Sequence, residues 1–145
     1  MKKRTEPAKT KIKKSAPNKV KINCTAVEAD LNPIVDCETS LKVKAIVSGL
    51  NQYSMQEALI NHRNIVVFDT GLTIDIPCGF RLNGKLISKF LSTGLLATDF
   101  SVDENKKLTI TVINLGQISP VIVKHMEVIA EIWFEPCYSI ELGES

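Results

Sequence analysis

Between Phe68 and Phe80 the chain allows one kind of local structure. Leu72, Ile74 and Ile76 alternate with Thr73 and Asp75, the two-residue period of a strand with one buried face. Thr70-Gly71 opens that strand, and Pro77-Cys78-Gly79 closes it with residues suited to a tight turn. The same alternation runs through Val20, Ile22 and Cys24, and through Leu41, Val43, Ala45 and Val47. Further strands are expected at residues 65–68, 85–90, 95–100, 108–113, 121–123 and 128–134, with Asp103-Glu104-Asn105-Lys106 as a hairpin turn. Residues 54–60 alone carry a helical signature, with Ser54 as N-cap and Glu57 three positions on. Many short strands and scarcely any helix define the expected fold class, an all-β barrel or sandwich.

A chain of 145 residues forms one domain with a real core. It contains no run of about 18 apolar residues, so no membrane-spanning helix is expected. The basic N-terminus has no apolar segment behind it and does not read as a secretory signal. Cys24, Cys37, Cys78 and Cys137 form no CxxC pair, and His62 and His125 stand apart, so neither a metal site nor another cofactor is expected. Cys24 and Cys37 flank a proline-containing loop and would pair in an oxidising setting; the plainer reading is reduced, half-buried thiols.

Charge divides the chain in two. Residues 1–21 carry Lys2, Lys3, Arg4, Lys9, Lys11, Lys13, Lys14, Lys19 and Lys21 against Glu6 alone, a net of +8, while the remainder nets −6 from nine basic and fifteen acidic residues. Residues 1–19 also lack the apolar side chains needed to offset the entropy of ordering, so they read as a disordered-type basic arm ahead of a domain at 20–145. Such an arm suits a tether across an acidic protein surface. It would also bind nucleic acid through counterion release, although no aromatic residues interleave the lysines for base stacking. A merely solvated tail is the third reading.

Three other features have a plain reading beside a sharper one. Trp133 and Phe134 fit core or subunit packing, or a ligand shelf. His125 fits a surface turn, or a catalytic base without an evident partner. Ser92-Thr93-Gly94 lacks the lysine and following helix of a phosphate loop, and reads as an ordinary turn.

Three segments in order carry a family resemblance, over roughly residues 48–136. Thr70-Gly71-Leu72-Thr73-Ile74-Asp75-Ile76-Pro77, Ile113-Asn114-Leu115-Gly116, and Val123 to Ile132 resemble the corresponding segments of the trimeric dUTPase and dCTP deaminase superfamily. The resemblance implies a dUTPase-like, jelly-roll-like β-barrel that assembles as a homotrimer. It also implies a chemistry: an Asp that activates water, a Tyr-bearing hairpin for the base and sugar, an Arg-Ser motif and a Gln for phosphates, and magnesium held through those phosphates.

This sequence departs from that set at nearly every point. On the family's Asp-x-Asp-Tyr-Arg-Gly hairpin fall Ser101-Val102-Asp103-Glu104-Asn105-Lys106, so Ser101 replaces the water-activating acid and Glu104 the tyrosine. An alcohol of ordinary pKa is no general base. Asp103 with Glu104 reads as an acidic hairpin tip, or as a metal-binding pair. Lys89 stands near the Arg-Ser motif without a guanidinium's two-pronged fork. Glu131 replaces the phosphate-binding glutamine, Met126-Glu127-Val128 replaces Gly-Asp-Arg, and Asn51 stands near the first motif's Asp. No Gly-rich arm is expected from residues 137–145, and no deaminase-like Arg and Glu pairing is seen.

The expectation is therefore a non-enzymatic structural protein: a trimeric decoration or auxiliary protein on the capsid exterior of a tailed phage. Its partner would be the major capsid protein or another acidic protein surface, with nucleic acid less favoured and no membrane. Outside a virion it would be cytoplasmic. The alternatives are a divergent nucleotide pyrophosphatase and a dUTPase-like regulatory or inhibitory binding module.

Overall fold

The structure, a computed structural model, describes residues 20–36, 39–47, 57–116 and 119–143, and residues 52–54 as backbone. Among these residues eleven strands follow in chain order: β1 (Asn23–Ala26), β2 (Ile34–Asp36), β3 (Ser40–Lys44), β4 (Gln52–Ser54), β5 (Glu57–Ile60), β6 (Ile65–Asp75), β7 (Phe80–Leu86), β8 (Leu95–Val102), β9 (Lys107–Asn114), β10 (Val121–Lys124) and β11 (Val128–Pro136). A 3-10 turn lies at Ala29–Leu31, and one helical turn, α1 (Ser88–Leu91), separates β7 from β8.

Among the described residues all pairings are antiparallel. Three sheets form, in the orders β1-β6-β9-β8, β2-β3-β11-β7 and β10-β5-β4. The all-β expectation holds. The alternation in the sequence becomes alternation of burial, since Leu108, Ile110, Val112 and Asn114 of β9 point inward while Thr109, Thr111 and Ile113 are half-buried. Phe68, Ile74, Phe90 and Ile132 join them in one core between the sheets.

β6 carries the one long irregularity. The two strands expected at 65–68 and 72–76 are a single strand with a bulge, where its register on β9 shifts between Asp69 and Thr73. Thr70-Gly71 thus lies inside the strand. The bulge is internally satisfied: the Thr70 hydroxyl donates to the Leu108 carbonyl at 2.9 Å, and the Gly71 N–H donates to Asp69 Oδ1 at 2.9 Å. The Val27 and Ile46 N–H groups take the Gly71 and Asp69 carbonyls. Gly71 has φ +69°, and a side chain there would lie 2.6 Å from Leu31 Cδ1. The two together favour glycine.

Two expectations are corrected. The helix at 54–60 is absent: β4 and β5 occupy that ground, because Ala58 and Ile60 alternate into the core and β5 pairs with β10. A capping-box spacing loses to tertiary pairing in so short a segment. The strand at 85–90 stops at Leu86, and α1 then turns Phe90 into the core at 1 % exposure.

Candidate functional site

The hairpin joining β8 and β9 places Ser101 opposite Thr109. At its tip, Asp103 Oδ1 accepts from the Asn105 and Lys107 N–H groups at 2.8 and 2.9 Å. The Lys106 N–H returns to the Asp103 carbonyl at 2.8 Å. Asp103 therefore shapes the turn. Lys106 has φ +65° at the position where the family pattern carries glycine, so the left-handed turn persists without the residue that best tolerates it. Its carbonyl accepts from Ile74 N–H at 2.8 Å and its ammonium lies 3.0 Å from Asp75, which holds the tip against β6. Glu104 is exposed beside it.

A second group gathers around α1 and the β10–β11 turn. The Ile87 N–H donates to the Ile129 carbonyl at 3.0 Å and seats the start of α1 on β11. Lys89 forms an ion pair with Glu127, whose other oxygen accepts from the Lys124 N–H at 2.9 Å. Met126, in the turn, has φ +65°, again at a glycine position of the family pattern, and its N–H donates to the Ala45 carbonyl at 2.8 Å. His125 is half-buried here, with Nδ1 accepting from the Val47 N–H at 3.1 Å. The histidine expected on a surface turn thus helps fasten β3's continuation to the β10–β11 turn.

Glu131 anchors a third group. It accepts from the Ser40 hydroxyl at 2.9 Å and lies 3.9 Å from the Lys85 ammonium. Four positions along the same strand, Glu135 accepts from Trp133 Nε1 at 2.9 Å, Asn83 Nδ2 at 3.0 Å and Arg81 at 3.2 Å. Those hydrogen bonds, Trp133 first, hold the Glu135 carboxyl below its usual value. Trp133 therefore lies half-buried with a bonded indole N–H, while Phe134 packs against the core. Sequence reasoning missed this network, although the pairing of residues 81, 83 and 85 with 135, 133 and 131 puts all six on one face.

Two crossing loops define a groove of about 700 Å³ beside α1, lined by Leu91, Thr93, Gly94, Pro120 and Ile122 among others. Asn114, fully buried, organises the crossing by donating to the Ile60 and Ser119 carbonyls and accepting from the Gly116 N–H. A side chain at Gly94 would lie 2.2 Å from Gly116 Cα.

Among the described residues, no hydrogen bond or ion pair joins the hairpin tip to Lys89, Glu127 or Glu131. No group of three or more His, Cys, Asp or Glu side chains gathers to hold a metal among them, and no helix is long and apolar enough to cross a membrane. The residues do not fit the phosphate-held magnesium of the resemblance: Glu131 puts a carboxylate where that chemistry has a neutral glutamine, and Val128 an apolar side chain where it has an arginine. Lys2, Lys3, Arg4, Lys9, Lys11, Lys13, Lys14, Lys19, Asn51 and Cys37 lie outside the described residues; Lys21 is within them and exposed.

The architecture is thus an antiparallel β fold whose loops retain turn geometry at three family-like segments. Compared with solved structures, it aligns with Staphylococcus bacteriophage 80alpha dUTPase at TM-score 0.66 and 13 % identity, covering 86 % of this chain and 96 % of that one. It aligns with a mutant dUTPase of S. aureus phage phi11 at TM-score 0.66 and 12 % identity over 87 % and 97 % of the two chains. EIAV dUTPase gives TM-score 0.68 at 12 % identity over 86 % and 96 %. No protein-family model matches the chain, and no curated protein matches it by sequence. The chain has a dUTPase-like fold.

Proposed function

We propose that this chain is a non-catalytic assembly protein: a homotrimer on a dUTPase-like fold that decorates the exterior of a tailed-phage capsid. The observation that carries the reading is the pairing of Lys89 with Glu127 and the approach of Lys85 to Glu131, which spends both cations on carboxylates of the same domain. A triphosphate approaching either lysine meets that lysine's carboxylate partner, and Ser101, on the β8–β9 hairpin, is an alcohol that supplies no general base. Support for assembly comes from apolar surface. Tyr138, Ile140 and Leu142 are 87–88 % exposed, and Ile65 and Val67 are also open on the outer face of β6. The basic residues 1–19 would tether the trimer to an acidic capsid surface.

The test has two arms. Purified protein incubated with dUTP or dCTP and magnesium is expected to give no turnover, and turnover that co-purifies with the folded protein overturns the non-catalytic reading. Deleting residues 1–19 is expected to leave the trimer intact and abolish its binding to capsids; capsid binding equal to that of the full chain overturns the tether.

A second reading, a regulatory binding module, is favoured by one specific finding. The 80alpha neighbours are described as phage dUTPases that control transfer of virulence genes. A one-to-one complex with a host protein, together with absence from purified virions, would replace the decoration assignment with this one.

A further inference from the structure

The ladder between β7 and β11 runs one step beyond both strands. Phe80 pairs with Pro136, and the Cys137 N–H then donates to the Gly79 carbonyl at 2.8 Å. Cys78 is the neighbour of Gly79 in a turn closed by the Phe80 N–H on the Pro77 carbonyl. Two cysteines 59 positions apart in sequence are thereby set at one end of one sheet, and both are exposed. Directly opposed Cα atoms on antiparallel strands lie about 4.5–5.5 Å apart. Cys78 is one Cα step of about 3.8 Å from that opposed position, so a disulfide, which closes at Cα separations of about 4.4–6.8 Å with the Cβ atoms turned toward each other, needs an adjustment of the turn. Space is available for the adjustment: a side chain built at Gly79 meets nothing within 4 Å.

We propose that Cys78 and Cys137 are a thiol pair that undergoes thiol–disulfide exchange with a low-molecular-weight disulfide, bonding the β6–β7 turn to the segment after β11. One thiolate attacks a sulfur of the disulfide and expels one small thiolate, leaving a mixed disulfide on the protein. The second protein thiolate attacks the protein sulfur of that bond and expels the other small thiolate. Two protein thiols are oxidised, the disulfide is reduced to two thiols, and these take up the two protons released. Cys24 supplies the contrast within the molecule: it is half-buried, and burial raises its pKa, which disfavours its thiolate. The pair also sits at the root of Tyr138, Ile140 and Leu142, so closing the bond fixes where that apolar segment departs from the domain. This inference is independent of catalysis and of capsid binding.

The experiment uses the full chain carrying Cys24→Ser and Cys37→Ser, exposed to glutathione disulfide with about 0.1 mM glutathione and mapped by non-reducing peptide mass spectrometry. An effective thiol concentration in the millimolar range predicts crosslink over mixed disulfide by roughly ten-fold. Adding Cys78→Ser is expected to leave Cys137 as a stable glutathione adduct, and Cys137→Ser the reverse. Separate glutathione adducts on both cysteines without a crosslink, or a crosslink only between two copies, would overturn the proposal. Circular dichroism of each variant shows that the fold is retained; an intact fold that fails to crosslink counts against the pair.

Discussion

The bulge in β6 and the two tight turns at Lys106 and Met126 meet the same backbone demand in opposite ways. All three positions have φ between +65° and +69°. At Gly71 the surroundings are closed, with Leu31, Ile46 and Val27 side chains within 3.1 Å of where a Cβ would sit. At Lys106 the side chain is exposed and reaches Asp75, and at Met126 it is half-buried. Left-handed backbone costs a non-glycine residue roughly 1–2 kcal/mol, an amount a domain can carry. A left-handed position that is also overpacked is a different matter. Glycine therefore stands where packing and conformation both favour it, and other residues stand where conformation alone does.

That contrast breaks most visibly at Gly71. Gly71→Ala adds about 1–3 kcal/mol of overpacking to the left-handed cost, so a loss of about 3 kcal/mol is expected in urea unfolding. Lys106→Ala keeps its backbone cost unchanged and loses only an exposed ion pair of about 0–1 kcal/mol. Equal losses at the two sites would remove packing as the deciding factor.

The turns give a smaller effect of the opposite sign. Met126→Gly relieves the left-handed strain while adding freedom to the unfolded chain, a net gain of up to about 1 kcal/mol. Lys106→Gly gives less, because it also gives up the Asp75 contact. A loss of stability at Met126 in the same unfolding measurement would mean that its side-chain packing outweighs the strain.

The same distinction explains what the sequence makes legible. Strands such as β9 are readable because burial on one face writes an alternation into Leu108, Ile110 and Val112. The dUTPase-like fold is readable from Thr70 to Pro77 because packing and a left-handed backbone both disfavour a side chain at Gly71. Short pieces are not readable when their pairing lies far away. β5 is fixed by β10, more than sixty positions on, and nothing local in residues 54–60 announces that partner. The site is less legible still. The sequence shows that Glu131 replaces a glutamine, but the partners that define its present role, Ser40 and Lys85, come from other strands. By contrast, the sequence offers Asp103 as part of a hairpin turn or of a metal-binding pair, and the hydrogen bonds from Asn105 and Lys107 are those of the turn.

The smallest expected effect lies on the β7–β11 face, where no glycine is involved and a side-chain network replaces backbone constraint. Glu135 is held below its usual pKa by hydrogen bonds from Trp133, Asn83 and Arg81. A depressed carboxyl stabilises the fold above its unfolded pKa of about 4.3, and that contribution fades as pH falls through its lower native value. The only tryptophan of the chain reports the event, because Trp133 Nε1 donates to Glu135 itself. Indole fluorescence should therefore titrate with a midpoint below the ordinary glutamate value, while the fold persists by circular dichroism. Glu135→Gln should abolish that transition and leave stability at neutral pH only slightly lower. A midpoint at or above the ordinary glutamate value, or a transition unaltered by Glu135→Gln, would show that the network does not hold the carboxylate in its charged form. The face would then owe its order to the ladder hydrogen bonds alone.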